Sequence, residues 1–227
     1  MVIFDWDGTL CDSVELIVAA MQGAATELGL SAPTAADTRN IIGLGLPQGV
    51  ARLFPELPEA QRRELEQAYS RQYIAREAAP PRLFPGALDT LDELKSRGLE
   101  VAIATGKSRR GLDRILKLFG LSEFFHATRC ADETRSKPHP LMIEEILKAR
   151  KLEPHQAYMV GDTEYDLEMA MHAGVASVGV SFGVHNTDRL QSHGPLAIVD
   201  ALPELLDLPF LDNTRARLPA SPVAPGD

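Results

Sequence analysis

Four short stretches of this chain carry residue types that could do chemistry, and each follows an apolar run. Asp5 and Asp7 stand two apart after Val2-Ile3-Phe4 and ahead of Gly8 and Thr9. On an extended chain a spacing of two points both side chains to one side. Two carboxylates so placed repel unless they share a cation or one holds a proton, so the pair is a metal site, an acid/base site or both. Thr105-Gly106-Lys107-Ser108 follows Val101 to Ala104 and offers a hydroxyl and a flexible turn before a helix. Free N–H groups at such a helix start can hold a phosphate, although Ser108 is also an ordinary N-cap. Lys137-Pro138 comes after a short charged loop, where a lone lysine is more often simply solvated. Last, Gly161-Asp162-Thr163-Glu164-Tyr165-Asp166 places two carboxylates four apart around a strand-to-helix turn, where Asp162 alone could cap the helix.

These stretches need elements to position them. Strand-like segments fall at Val101 to Ala104, His126 to Arg129, Tyr158 to Val160, Ser177 to Val180 and Ala197 to Val199. Helical patterns separate them: Leu88, Leu91 and Leu94 ending at Gly98, then Leu112 to Phe119 ending at Gly120, then Leu141 to Ala149 behind Pro140. Alternating strands and helices predict an α/β fold whose parallel sheet is covered on both faces. Ligands of such a sheet bind beyond the carboxyl ends of the strands, so all four stretches are expected at one edge. Between the first strand and the rest lies a block without strand character, with a helix over Val14 to Leu28 and a charged helical run from Glu59 to Glu77. It predicts an inserted helical domain over 14–82, a core built from 1–13 and 83–211, and a hinge near Pro80-Pro81 and Pro85-Gly86. The Pro-rich stretch 212–227 is expected to be disordered. Only Met1 to Phe4 precede Asp5, which is short for a central strand and leads us to expect further native residues upstream.

Composition narrows the function classes. Lys+Arg 23 against Asp+Glu 32 gives a net charge of −9, a field that disfavours nucleic acid and anionic membranes, so an anionic substrate needs a local positive site. The two cysteines, Cys11 and Cys130, are too few for a disulfide framework, and Cys11 is expected to pack as a small apolar residue. No apolar run reaches membrane-spanning length, and the start lacks a secretory signal pattern; a cytoplasmic enzyme fits.

Asp5-Trp6-Asp7-Gly8-Thr9-Leu10, then Thr105, then Lys137, then Gly161-Asp162 with Asp166, resembles in order the four motifs of the haloacid dehalogenase-like (HAD) hydrolases over roughly 1–210. The resemblance implies a Rossmann-like parallel-sheet core with an inserted all-helical cap domain. It implies Asp5 as nucleophile, Asp7 as general acid and base, and Thr105 and Lys137 as phosphate holders. It also implies a magnesium ion (Mg2+) on Asp5, Asp162 and the backbone carbonyl of Asp7. Asp166 would reach the metal through water, or orient Lys137 or its loop. The expected activity is hydrolysis of a small phosphorylated metabolite through an aspartyl phosphate.

The cap segment Ile41 to Pro47, with Phe84-Pro85-Gly86, looks most like the phosphoglycolate phosphatase branch. Gly43 and Gly45 of that segment and Gly106 are the expected substrate-binding positions. That branch often carries Asn where Gly106 stands, so a hydrogen-bonding group beside the substrate is missing here. Three rival functions can be separated. A 2-haloacid dehalogenase has no use for Asp7. A sugar-phosphate mutase would keep both aspartates and magnesium but would need a bisphosphate activator. A silent binding protein on this fold would usually have lost Asp5, Asp7, Lys137 or Asp162, and all four are present.

Overall fold

The computed structural model describes residues 1–76 and 81–211. In chain order the elements are β1 (Val2–Phe4), β2 (Cys11–Asp12), α1 (Val14–Glu27), α2 (Ala35–Arg39), α3 (Leu46–Leu53) and α4 (Glu59–Arg76). There follow β3 (Arg82–Leu83), α5 (Ala87–Ser96), β4 (Val101–Thr105), α6 (Arg109–Leu118), β5 (Ala127–Cys130) and α7 (Leu141–Arg150). The chain continues with β6 (Tyr158–Gly161), α8 (Glu164–His172), β7 (Ala176–Val180), α9 (Thr187–Gln191) and β8 (Ala197–Val199). Six strands form one sheet in the order β5-β4-β1-β6-β7-β8, all parallel. The tail 212–227 lies outside the described residues.

β1 sits in the middle, flanked by β4 and β6, with Phe4 in register with both Ile103 and Val160. Both faces of the sheet are covered, so every residue of β1 and β4 is buried, as an all-parallel sheet requires. Side chains still alternate by period two. Val2, Phe4, Val101 and Ile103 enter one core, which takes in Leu91, Leu112 and Leu116. Ile3, Ala102 and Ala104 enter the other, against Ile143 and Ile146 of α7 and Met169 of α8. Each fully buried aliphatic or aromatic side chain contributes about 1.5–3 kcal/mol, so the short central strand is held mainly by what it buries. Trp6, fully buried against Phe119 and Phe125, extends the first core past the end of β1. It pins the turn that carries Asp5 and Asp7.

The helices α1 to α4 leave the sheet after β2 and return at β3. These two strands pair antiparallel, Cys11 with Leu83 and Asp12 with Arg82, a two-stranded ribbon that sequence periodicity does not predict because each strand has only two residues. The prolines expected to mark the hinge flank it, Pro80 itself lying outside the described residues. Cys11 is fully buried in this ribbon as the small apolar residue expected, and burial pushes its thiol pKa up to about 12. The four helices form a cap with its own core of Met21, Ala24, Val50, Phe54 and Leu65. A second cluster, Ile17, Ile42 and Tyr73 with Val184 packed against it, joins cap to sheet domain.

Candidate active site

The parallel register brings the carboxyl ends of β4, β1 and β6 to one level, so Thr105, Asp5 and Asp162 emerge side by side. The Asp5 N–H still donates to the Val160 carbonyl at 2.9 Å, making Asp5 the last residue held by the sheet before the chain turns. Gly8 completes that turn at φ 82°, in the left-handed region that favours glycine. A Cβ there would lie 2.2 Å from Asp162 Oδ2. The glycine therefore serves both the turn and the close approach of the two motifs.

Asp5, Asp162 and Asp166 are all buried, with one carboxylate oxygen from each lying within 4.8 Å of the others. Lys137 Nζ reaches into the cluster, 2.7 Å from Asp5 Oδ1 and 2.6 Å from Asp166 Oδ1. The Trp6 N–H also donates to Asp5 Oδ1, at 2.6 Å. Asp5 Oδ2 is buried with no hydrogen-bond partner among the described residues. Asp162 accepts from the Thr9 hydroxyl and from the Val184 N–H, both at 2.8 Å. Asp166 accepts from the Thr163 hydroxyl at 2.6 Å and the Thr163 N–H at 3.1 Å, boxing the start of α8 while its other oxygen holds Lys137. Asp166 thus contacts both Lys137 and its own loop while also standing in the carboxylate cluster with Asp5 and Asp162.

Burial and charge set the protonation of this cluster. Burial, followed by the neighbouring Asp166 and Asp162, drives the Asp5 carboxyl well above its usual range despite the opposing pull of Lys137. Burial and Asp166 push Asp162 up to about 7. Burial alone would lower Lys137, but Asp166 and Asp5 outweigh it and hold the ammonium charged. Three carboxyl groups around one ammonium cannot all ionise in a buried space unless a proton or a further cation offsets the excess negative charge. A buried donor set made only of carboxylate oxygens, one from each of Asp5, Asp162 and Asp166 within 4.8 Å of one another, suits a hard divalent cation, so the residues present fit Mg2+.

Asp7 points elsewhere. Its Oδ1 takes the Ser13 hydroxyl at 2.5 Å and stands 3.0 Å from Lys107 Nζ. Lys107 Nζ also reaches the Tyr73 hydroxyl of the cap at 3.3 Å and lies 4.8 Å from the centre of its ring. Burial opposes the charge on Lys107, yet Asp7, Tyr73 and Tyr69 together hold its pKa well above the usual lysine value. Asp5 and Asp7 thus line the same chamber while facing different cations. Thr105 is buried, its hydroxyl accepting from the Lys107 N–H at 3.2 Å. The chamber has a volume of about 210 Å³ and is closed on the cap side by Ile17, Met21, loop 41–46, Tyr69 and Tyr73.

Gly43, Gly45 and Gly106 all line it, and their small size is also what lets cap meet core. A Cβ on Gly106 would lie 2.5 Å from the Leu44 carbonyl oxygen, and one on Gly43 would lie 3.0 Å from Thr163 Oγ1. Besides removing a polar side chain, glycine at 106 leaves room for the cap loop. The loop is latched by the Gly45 N–H donating to Ser136 Oγ at 2.8 Å, and by Asn40, whose carbonyl accepts from the Tyr165 hydroxyl at 2.7 Å and whose side chain accepts from Arg189 at 2.6 Å. Sequence reasoning did not single out Lys107, Thr9, Ser13 or Tyr73. Lys107 and Thr9 adjoin recognised motif residues, which is a usable signal; Tyr73 is one of two tyrosines on a charged helix and carries none.

Residues 2–180 match the family model described as haloacid dehalogenase-like hydrolase. The chain is 34% identical over 229 residues to the Dickeya dadantii protein named "Probable phosphatase IndB", covering 99% of this chain and 98% of that one. It is 27% identical to a phosphoglycolate phosphatase of Vibrio vulnificus, covering 92% and 95% of the two chains. A solved haloacid dehalogenase-like hydrolase from Streptococcus pneumoniae superposes with a TM-score of 0.79 at 29% identity, covering 91% of this chain and 96% of that one. With the four motif residues at adjacent strand ends and a helical cap closing over them, the chain belongs to the haloacid dehalogenase-like hydrolases.

Proposed function

We propose that this protein is a Mg2+-dependent phosphatase that hydrolyses a small phosphomonoester through an aspartyl-phosphate intermediate. The observation that carries this reading is the split environment of Asp5: Oδ1 is held by Lys137 and the Trp6 N–H, while Oδ2 is unpartnered among the described residues. A carboxylate whose one oxygen is pinned presents the other in a fixed direction, as a nucleophile requires. Bound Mg2+ would supply charge screening, letting an anionic phosphate approach an anionic nucleophile. Asp5, Asp162 and the Asp7 backbone carbonyl would hold it, with Asp166 behind them.

In the first step Asp5 attacks phosphorus, the bond to the leaving oxygen breaks, and Asp7 delivers a proton to that oxygen. Lys137 and the N–H groups around Thr105 and Gly106 face the charge that develops on the phosphoryl oxygens. In the second step Asp7 takes a proton from water, the water oxygen attacks phosphorus, and the Asp5–phosphorus bond breaks to release inorganic phosphate. The relatives' names point to phosphoglycolate as one candidate substrate class. A chamber below the roughly 300–1,000 Å³ typical of drug-sized ligands suits a metabolite and excludes a folded phosphoprotein or nucleic acid. The mutase reading is not favoured, because among the described residues the cap side of the chamber's lining provides no charged group that would hold a sugar bisphosphate. The test is phosphate release from p-nitrophenyl phosphate with Mg2+, with excess chelator, and with Ca2+. Activity is expected with Mg2+ alone, since the larger, looser Ca2+ shell would misplace the phosphate. Full activity in chelator would refute the metal requirement.

A further inference from the structure

Asp7 has a task in both steps of the reaction, and other side chains hold it in place. Two contacts fix its carboxyl group, and both fall on one oxygen: the Ser13 hydroxyl donates to Oδ1 at 2.5 Å, and Lys107 Nζ stands 3.0 Å from the same atom. The Asp7 and Lys107 side chains are only 11% and 10% exposed, so the pair is not of the solvent-screened kind found on surfaces. Lys107 is anchored at its main chain, where its N–H donates to Thr105 Oγ1 at 3.2 Å and its carbonyl accepts from the Ala131 N–H at 3.1 Å. Its head is anchored from the cap, with Nζ donating to the Tyr73 hydroxyl at 3.3 Å and lying 4.8 Å from the centre of that ring. Tyr73 is itself buried with Ile17 and Ile42 and tilted against Tyr69, their ring centres 5.9 Å apart. Through this one lysine, α4 of the cap reaches Asp7.

The arrangement decides which oxygen of Asp7 carries a proton. An oxygen that already accepts from a hydroxyl and an ammonium has both lone pairs occupied, so a proton placed on it would displace one donor. The transferable proton belongs on Oδ2. We propose that Lys107, seated by Tyr73, is the positioning residue of the general acid: it holds Oδ1 of Asp7 so that Oδ2 delivers the proton to the leaving oxygen. That proton moves from Oδ2 as the bond between phosphorus and the leaving oxygen breaks, and the negative charge left on Asp7 lies beside the ammonium. In the second step Oδ2 takes a proton from the attacking water. The assignment rests on the phosphatase reading above and deepens it, adding a lysine that acts through Asp7 and a tyrosine that acts through the lysine.

The experiment isolates proton delivery by leaving group. Ethoxide leaves only with a proton, p-nitrophenolate leaves without one, and kcat/KM reports the steps up to that departure. The measured quantity is the ratio of kcat/KM for ethyl phosphate to that for p-nitrophenyl phosphate at saturating Mg2+, relative to the wild type. Lys107→Met should lower this ratio on the order of tenfold or more, and Lys107→Arg, which keeps the cation, should recover most of the loss. Tyr73→Phe keeps the ring and removes only the hydroxyl; it should lower the ratio roughly threefold or more at an unchanged melting temperature, and it stands alone as the test where Lys107→Met fails to fold. Equal losses on the two esters in either variant would make the contact purely structural and overturn the proposal. In an Asp7→Asn background, Lys107→Met should leave the ratio where it is, because the lysine acts only through Asp7; a further large fall also overturns the proposal. An Asp7→Asn enzyme with the wild-type ratio refutes Asp7 as the acid, and hydrolysis of neither ester by the wild type refutes the phosphatase reading itself.

Discussion

Gly106 is where cap and catalytic core come closest, and Gly106→Ala isolates that contact. The added methyl would stand 2.5 Å from the Leu44 carbonyl oxygen and 2.7 Å from that of Gly43. Both are backbone atoms that cannot rotate aside. Ordinary contact begins near 3.4 Å, so loop 43–45 must retreat by roughly 0.9 Å, the difference between 3.4 and 2.5 Å. A retreat of that size stretches the 2.8 Å hydrogen bond from the Gly45 N–H to Ser136 Oγ out of range, a loss of about 1 kcal/mol. In a chain of this size that lowers the melting temperature by about 2–4 °C. The larger effect is on turnover, because a displacement near 1 Å in a positioning group can cost about 100-fold in rate. Steady-state kinetics on a small phosphomonoester, with calorimetry for the melting temperature, reads both. A Gly106→Ala enzyme with kcat/KM within threefold of the wild type would show that the cap does not close in this way during turnover.

Three further outcomes follow from the buried acids. Asp5→Asn should lose on the order of 10⁴-fold or more in kcat. In metal-free buffer it should melt no lower than the wild type, because burial, Asp162 and Asp166 already disfavour an ionised Asp5; a fall of more than a few degrees would contradict the assigned environment. Lys137→Met leaves Asp5 and Asp166 without their shared cation and should cost about 3–5 kcal/mol in urea unfolding of the metal-free protein, whereas a loss under about 1 kcal/mol would mean the lysine is not what balances them. Asp162 titrates in the fold at about 7 against an ordinary 3.8, so its stabilising contribution is complete below 3.8 and lost as pH rises through about 7. Metal-free protein should therefore lose stability between pH 4 and 7, while Mg2+ affinity should weaken about tenfold per pH unit below about 7 for each proton displaced. Titration calorimetry at pH 5.5 and 7.5 checks this, and a pH-independent affinity would refute it.

The elements that could be read from sequence are those whose pattern is long or repeated. Val101 to Ala104 and Tyr158 to Val160 are uninterrupted apolar runs because a central parallel strand is buried on both faces, and each expected strand extends by a single residue in the structure. His126 to Arg129 shifts by one residue to Ala127–Cys130, at the sheet's edge, where burial is partial and periodicity weak. The β2–β3 ribbon was not legible, since a two-residue strand has no period. Nor were α9 and the turn of 3₁₀ helix at Leu202–Asp207, which are too short for an apolar stripe to repeat.

The site divides along the same line. Asp5, Thr105, Lys137 and Asp162 could be picked out because each follows its own strand, and a parallel sheet brings strand ends together whatever the intervening loops do. What decides their chemistry is the company each keeps, which is set by tertiary packing. Lys107 is one residue from a recognised glycine, yet only the return of α4 over the sheet edge, carrying Tyr73, makes it a buried partner of Asp7. Asp166 lies four residues beyond Asp162. The helical turn between them faces Asp166 back toward Lys137, and Thr163 fixes its other oxygen. Gly106 carries the sharpest lesson. In sequence it is a missing side chain beside the substrate; in the fold its bare Cα is the space that the Gly43 and Leu44 carbonyls need. One small residue thus couples what the chamber can recognise to how far the cap can close, and a substitution there changes both together.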